Sequence, residues 1–391
     1  MLKNKALTII FTCVFLELFL GGTGRLIELT SFLTLRMCFF LVYIMLIGYF
    51  LLAKHKLSWE IVFIISFFLL LCVFDGLIGY LNNAALADIF EDIKPLINIF
   101  LLCYLYFSIK TTDDIQYLIK LIKISTVLLV ILHFALYSVV LVFSNFALLY
   151  SSVNNTQGDN LVFIFKGDTG LVNYTGDLYL CVGFIVWDQY HKRSKLKTFM
   201  LICIAISIIL TGTRGLIFAL AGTYLVKWIF LKLQYRSLVY LFLGMIVLGG
   251  IIFSLSDKIG DKDESDQIRY ETIHQVIDNI NPASLLVGHG FGIGVPIRPT
   301  HMEISYLEVF HKQGVLGLLY YTAIFLIAYI LYKSNDQRNS MGFFMSLIFV
   351  YLLSFTNPYL NHPLGITIIS IAIVCMKKMS LVEDKQVLLI R

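Results

Sequence analysis

Charged residues are scarce in this sequence, and long apolar runs take their place. Only 14% of the 391 residues are charged and 59% are hydrophobic, whereas soluble domains carry about 25% charged residues. Continuous apolar runs long enough to cross a bilayer recur along the chain, and the alternating pattern of an outer-membrane barrel is absent. The composition therefore predicts an all-α integral membrane protein.

The sequence also lacks the motifs of most nucleotide- and metal-dependent enzymes. It has no GxxxxGK[ST] phosphate loop, so ATP is not the expected energy source. It has no HExxH motif and no CxxC pair, and its seven cysteines fall inside apolar runs, which predicts packing roles rather than a disulfide framework or a zinc site. We therefore expect no metal and no cofactor. The net charge of +5 requires no nucleic-acid partner, because membrane topology explains it.

The apolar runs predict about twelve transmembrane spans, at approximately 6–22, 31–53, 58–80, 92–109, 120–143, 171–189, 196–212, 214–231, 236–254, 313–333, 341–357 and 363–377. The first run lacks a small-residue cleavage site, so we expect it to stay as a helix. With the N-terminus inside, 20 of the 30 basic residues lie in cytoplasmic segments, and the positive-inside rule then predicts two cytoplasmic termini. We expect one polytopic domain over 1–391, with a large helical outer loop at 255–312 between spans 9 and 10.

Ionisable residues inside the spans are costly and usually face the protein interior. Glu17, Arg36, Asp75 and Asp177 all fall in the outer half of the predicted bilayer. They are either structural pairs, such as Glu17 with Arg36, or the lining of a polar cavity that opens outward. Their one-sided distribution disfavours a transporter pathway.

Two outer features could bind an anion. Arg214 lies between Gly212 and Gly215 at the start of a predicted helix, where it either reaches lipid phosphates or joins the helix N-terminus in a diphosphate site. The run Gly288-His289-Gly290-Phe291-Gly292-Ile293-Gly294 is either a compact turn or a backbone surface against a phosphate, through Gly288 and Gly290. A polar outer segment at about 144–170 is a candidate flap.

Arg269 lies on a surface helix predicted over 266–280, with Ser265 as its N-cap. The apolar stripe of that helix is predicted to consist of Ile273, Val276, Ile277 and Ile280. Arg269 is four residues before Ile273, which predicts a place on the inward face, near a buried anion. A solvated charge is the alternative.

Thr300-His301-Met302-Glu303 fits a capping box, with Thr300 as N-cap and Glu303 at the third helical position. His301 would then be the first helical residue, with Ser305 and Glu308 on its face. A helix N-terminus lowers the proton affinity of histidine, which would leave His301 neutral and able to act as a base. An ordinary loop histidine is the alternative.

The order of these motifs resembles the O-antigen ligase and polymerase superfamily: Thr211-Gly212-Thr213-Arg214-Gly215 at a span junction, an arginine in a large outer loop, the glycine run, and His301 to Gly317. Asn357-Pro358 resembles the polymerase branch. The resemblance implies a metal-independent glycosyltransferase of the GT-C-like membrane class in the bacterial cytoplasmic membrane. It would transfer a growing glycan from undecaprenyl diphosphate to the non-reducing end of an incoming lipid-linked repeat unit.

The resemblance also implies roles for individual residues within an outer catalytic loop. Arg214 and Arg269 would bind the diphosphate, and either His301 or Glu303 would act as the base. Arg36, Asp75, Asp177 and Tyr306 are the candidates for lining the cavity. Ligase-like members often have His-Asn where this chain has His301-Met302, and so the base is left open between two residues.

Two other functions are alternatives. A ligase would use the same donor with a different acceptor, and a polysaccharide flippase would need polar residues through the full membrane depth. A chain-length regulator and a separate flippase are the protein partners that the resemblance implies, besides the membrane and the lipid-linked oligosaccharide substrate.

Overall fold

A computed structural model describes residues 5–22, 24, 27–29, 33–142, 163–166, 171–230 and 262–382. Within these residues the chain is mostly helical. The elements are α1 (Lys5–Leu20), α2 (Leu35–Leu52), α3 (Trp59–Leu81), α4 (Leu86–Leu96), a 3-10 turn (Ile97–Phe100), α5 (Leu101–Ser108), α6 (Thr112–Val142), β1 (Phe163–Lys166), β2 (Leu171–Tyr174), α7 (Leu178–Tyr190), α8 (Lys195–Leu210), α9 (Arg214–Phe230), α10 (Lys262–Asp278), α11 (Pro282–Val287), α12 (Ser305–Ser334), α13 (Gln337–Leu353) and α14 (Pro363–Val382).

Eleven of the predicted spans overlap helices, and the ninth, at 236–254, lies outside the described residues. Among the described helices, five are long and apolar enough to cross a membrane: α2, α3, most of α6, α12 and most of α14. A membrane protein built mainly of helices is therefore confirmed, and the count of twelve spans stays a prediction.

Two predicted spans do not correspond to single helices. The fourth span is divided into α4, the 3-10 turn and α5, because Pro95 near the end of α4 has no N–H to continue the helical ladder. The sixth span begins at Leu178, since Leu171–Tyr174 forms strand β2 instead. Strand β2 pairs antiparallel with Phe163–Lys166. Phe163–Lys166 is the described part of the candidate flap.

The chain divides into two compact units. The first consists of residue 1 with 40–114 and 263–389, and the second of 2–39 with 115–262 and 390–391. In the first unit, α13 and α14 pack closely, and the rings of Tyr332 and Phe344 stack at 4.4 Å. In the second unit, the aromatic rings of Phe15, Phe19 and Tyr179 stack in series at 4.5 and 4.1 Å.

Helix α10 begins earlier than the sequence predicts, and it buries a different face. It starts at Lys262, so Ser265 lies inside the helix rather than at its N-cap. Thr272 and Val276 are buried, whereas Ile277 and Ile280 are 55% and 40% exposed. The predicted buried face was therefore rotated by about one residue. Thr272 lies on the true buried face, and a search for apolar residues alone passes over it because threonine is polar.

The predicted capping box at Thr300 does not form. Helix α12 begins at Ser305, with Ile304 at the N-cap position, and Thr300 and Glu303 are not helical. Inside α12, Gly314 has φ 62° and interrupts the helix. A Cβ on Gly314 would lie 2.4 Å from the backbone carbon of Leu286, so the close approach of α11 requires glycine here.

Candidate active site

A buried cluster of charged side chains joins α4 to the first turns of α12 in the first unit. Asp92 comes from α4, and Glu308 and Lys312 come from α12, one helical turn apart on the same face. The beginning of α12 is fixed by Ser305, whose Oγ donates to the carbonyl of Asn357 and accepts from the amide of Leu360, both at 3.0 Å.

The Lys312 ammonium is at the centre of this cluster. Its Nζ lies 2.7 Å from Asp92 Oδ1, 2.8 Å from Glu308 Oε1 and 2.5 Å from the carbonyl oxygen of Thr300. The side chains of Lys312, Asp92 and Glu308 are only 4%, 5% and 4% exposed. Because an ammonium has three donors, all of its hydrogen-bonding capacity is satisfied by protein oxygens.

The remaining carboxylate oxygens also have donors. The amide of Gly292 donates to Asp92 Oδ2 at 2.7 Å, and Asn361 Nδ2 donates to Glu308 Oε2 at 2.8 Å. A buried charge is tolerated only when it is paired and hydrogen-bonded. The network meets that condition, which fixes both carboxylates in position.

His301 lies at the edge of this network and reaches solvent. Its Nδ1 is 3.2 Å from Glu308 Oε1 and 3.6 Å from Asp92 Oδ1, while its side chain is 50% exposed. The hydrogen bond to the Glu308 carboxylate raises the pKa of His301 above 6.5. The predicted lowering by a helix N-terminus was wrong, because the helix starts four residues later and the carboxylate dominates.

Asp92, His301 and Glu308 offer the kinds of ligand atom that a metal ion binds. One ligand atom each from Asp92, His301 and Glu308 lies within 4.8 Å of the others. The Lys312 ammonium, however, already contacts both carboxylates and supplies the neutralising charge. A divalent metal would have to displace it, so these residues fit a protein cation better than a metal.

A second ionic cluster precedes α12. Glu303 accepts from Arg269 Nε through Oε2 at 2.7 Å and from Arg298 Nη2 through Oε1 at 2.5 Å. Arg269 Nη1 also donates to Asp266 at 3.1 Å. The three side chains of Arg269, Arg298 and Glu303 are about one-third exposed, at 35%, 34% and 31%. Glu303 therefore joins two guanidinium groups at the protein surface instead of capping a helix.

The glycine run forms a compact turn, which is the first of the two alternatives. The amide of Gly288 donates to Ser284 O at 2.8 Å and that of Gly290 donates to Lys312 O at 2.9 Å. A Cβ on Gly290 would lie 2.1 Å from the amide nitrogen of Gly79. Both amides are engaged within the protein, so the geometry supports a packing role for Gly288 and Gly290 rather than phosphate binding.

Two further candidates from the first unit are packed against neighbouring helices. Asp75 is fully buried and accepts from Gln313 Nε2 at 2.8 Å. Tyr306 donates to the carbonyl of Tyr351 at 3.0 Å, and its ring lies 4.5 Å from that of Phe355. Their assignment to a cavity lining stays a prediction.

The candidates in the second unit include one confirmed pair. Arg36 Nε lies 3.1 Å from both carboxylate oxygens of Glu17, as the structural alternative predicted. Asp177 is buried, accepts from the amide of Tyr174 at 2.8 Å, and lies 3.4 Å from His133 Nδ1. Arg214 is the first residue of α9 and is half-buried, after a turn in which Gly212 has φ 59°. Its role as a diphosphate ligand stays a prediction.

Sequence reasoning missed four residues of these clusters: Asp92, Arg298, Lys312 and Asn361. Two signals could have found some of them. Glu308 and Lys312 form an i,i+4 acid–base pair on one helix. Asp92 lies at the outer start of a predicted span, at the same level as the ionisable residues that were singled out.

Two comparisons with known proteins bear on this site. Residues 199–322 match a family model described as O-antigen ligase, and this range contains Arg214, Arg269, His301 and Lys312. The whole chain is similar to an O-antigen polymerase from Shigella flexneri, with 27% identity over 388 residues, covering 95% of this chain and 94% of that protein.

Proposed function

We propose that the chain is a polysaccharide repeat-unit polymerase of the superfamily of O-antigen ligases and polymerases, because it is similar to members of both kinds. The similarity that carries this proposal covers 95% of the chain, well beyond residues 199–322. The enzyme acts at the outer face of the bacterial cytoplasmic membrane, with both termini in the cytoplasm. It transfers the growing glycan from undecaprenyl diphosphate to the non-reducing end of a new lipid-linked unit.

His301 is the base in this proposal. With Nδ1–H donating to the Glu308 carboxylate, Nε2 becomes the proton acceptor, and the half-exposed ring can meet an acceptor hydroxyl. Glu303 is a weaker candidate, since each of its oxygens already accepts from a guanidinium group. The buried network of Asp92, Glu308 and Lys312 holds the imidazole in its orientation.

The chemistry needs neither ATP nor a metal. The acceptor oxygen attacks the anomeric carbon, its proton passes to His301, and the bond to the diphosphate oxygen breaks. Lipid diphosphate is a good leaving group when cations stabilise its developing charge, and Arg214 and Arg269 supply that charge. A single displacement inverts the configuration at the anomeric carbon, as in a GT-C-type glycosyltransferase with 255–312 as its outer catalytic loop.

Reconstitution tests this proposal. The purified protein in liposomes receives one lipid-linked repeat unit, and the expected result is a ladder of lengthening products with inverted linkages. His301→Gln should lower kcat by about 100-fold or more, the usual contribution of a general base. His274→Gln is the matched control, because His274 is an exposed histidine on α10. Unchanged substrate, or equal effects of the two variants, would contradict the proposal.

A ligase is the second candidate, because the family model over residues 199–322 is described as O-antigen ligase. Both reactions share the donor and differ in the acceptor. Supplying a lipid A core oligosaccharide in competition with the lipid-linked unit separates them. A single glycan attached to the core, with no ladder, would identify a ligase.

A further inference from the structure

The Glu303 carboxylate lies between two arginines in the way a bound anion would. One oxygen accepts from Arg269 Nε at 2.7 Å and the other from Arg298 Nη2 at 2.5 Å. Guanidinium groups recognise carboxylates and phosphates through the same planar arrangement of donors. The two arginines are thus already spaced to bind an anion with two acceptor atoms.

A small, partly open pocket lies beside this pair. It is lined by Ile268, Arg269, Thr272, Arg298, Glu303 and Ile304. The side chains of both arginines and of Glu303 are about one-third exposed, at 35%, 34% and 31%. A ligand can therefore reach the guanidinium groups from outside without opening the protein core.

Glu303 is also placed where it can leave. It lies in the non-helical segment before Ser305, and ion pairs with this degree of exposure are weak because water screens them. A diphosphate carries more negative charge than one carboxylate and offers more acceptor atoms. It can replace Glu303 on both arginines, whereas the exposed Asp266 contacts only Arg269 through Nη1.

We propose that Arg269 and Arg298 together form the anion site for the lipid diphosphate, and that Glu303 occupies this site until the substrate replaces it. This inference rests on the proposed function for the identity of the ligand. It adds Arg298 as a binding residue and makes Glu303 a competitor of the substrate rather than a base. Displaced Glu303 then lies two residues from His301, on the same short segment.

Binding measurements on the full-length protein in nanodiscs test the proposal, with undecaprenyl diphosphate as the probe. Arg298→Gln should weaken binding about tenfold or more, since it removes a charge-assisted contact. Glu303→Gln keeps the shape but removes the competing charge, so binding should tighten about two- to fivefold. Asp278→Asn is the matched control, because Asp278 is an exposed carboxylate on the same helix outside the pocket, and it should change binding less than twofold. Arg298→Lys keeps the positive charge but loses the planar pair of guanidinium donors, so it should give an intermediate affinity. This variant tests the proposal if Arg298→Gln does not fold.

Opposite shifts in the Arg298 and Glu303 variants support the proposal. A merely structural ion pair predicts weaker binding or no change in both variants, and either result overturns it. Inorganic diphosphate is a second probe. If it alone shows the opposite shifts, the site binds free diphosphate and the lipid assignment is wrong. Turnover is scored separately. If the two variants shift the affinity in opposite directions but the protein makes no polymer ladder, the anion site is supported and the polymerase function is refuted. If Glu303→Gln binds more tightly but has no turnover, Glu303 acts as the base and the proposal that it only competes with substrate is wrong.

Discussion

Replacing Lys312 with methionine tests the buried network most directly. Methionine has a similar length but no charge, so Lys312→Met leaves Asp92 and Glu308 buried side by side without their cation. Removing one partner of a buried ion pair costs about 3–5 kcal/mol in the free energy of unfolding, because the remaining charge is uncompensated. The present pairs meet the conditions for that range, with separations of 2.7 and 2.8 Å and exposed fractions of 4–5%.

The chain contains a matched control. Lys377 Nζ lies 2.8 Å from Glu60 Oε1, the same separation as between Lys312 and Glu308, but these side chains are 17% and 27% exposed. Partly solvated pairs contribute about 0–1 kcal/mol. Lys377→Met should therefore destabilise the protein by at most about 1 kcal/mol, so burial is the variable that separates the two lysines.

Chemical denaturation of the detergent-solubilised variants, followed by circular dichroism, measures both effects. Adding Asp92→Asn to Lys312→Met should recover part of the lost stability, because it removes one of the two unpaired charges. If Lys312→Met is no less stable than Lys377→Met, or if Asp92→Asn makes the double variant worse, the ammonium does not neutralise these carboxylates. The reasoning would then be refuted.

Three further predictions follow from the same region. His301 acts as a base only when neutral, and Glu308 raises its pKa, so kcat should fall as the pH decreases through a midpoint above 6.5. The same pKa shift stabilises the fold at low pH, and that contribution to the free energy of unfolding should be lost as the pH rises through the raised pKa. NMR titration of His301 measures this pKa. A value below 6.5 would contradict both the kinetic and the stability prediction. Gly290→Ala should destabilise the protein by more than about 1 kcal/mol, because the φ of Gly290 is +88° and the new Cβ would lie 2.1 Å from the amide nitrogen of Gly79. Gly48→Ala is the control and should not destabilise the protein, since its Cβ would meet no described atom within 4 Å. Equal unfolding midpoints for the two variants would refute this. Treatment with a chelator should leave the rate of product formation unchanged, because a lysine already supplies the positive charge between the carboxylates, and loss of activity that added metal restores would argue for a metal site.

Most of the helical framework could be predicted from the sequence, because the thickness of the membrane requires long apolar runs. Where the prediction was wrong, a local effect outweighed hydropathy. Pro95 divides the fourth span, and Leu171–Tyr174, which was assigned to the sixth span, pairs as a strand. Short apolar segments do not distinguish the two by periodicity alone.

The site was only partly predictable. His301 and Arg269 were identified from their positions in the chain, and Glu308 was expected beside His301. The contact between His301 and Glu308 exists, but the expected helix at His301 does not, and so the inferred pKa shift had the wrong sign. The Glu303 carboxylate could accept either from a backbone amide in a capping box or from the two guanidinium groups of Arg269 and Arg298. The guanidinium contacts are charge-assisted on both sides and are the stronger hydrogen bonds.

The glycine run explains why Asp92 and Lys312 could not be paired from the sequence. These residues are 220 positions apart, and their contact depends on how closely the backbone around Gly290 approaches two helices. The amide of Gly290 donates to Lys312 O, that of Phe291 donates to Asp75 O, and that of Gly292 donates to Asp92. Three consecutive amides thus connect α12, α3 and α4. A side chain at Gly290 would separate these helices, so the glycine run places the charged residues of the candidate active site.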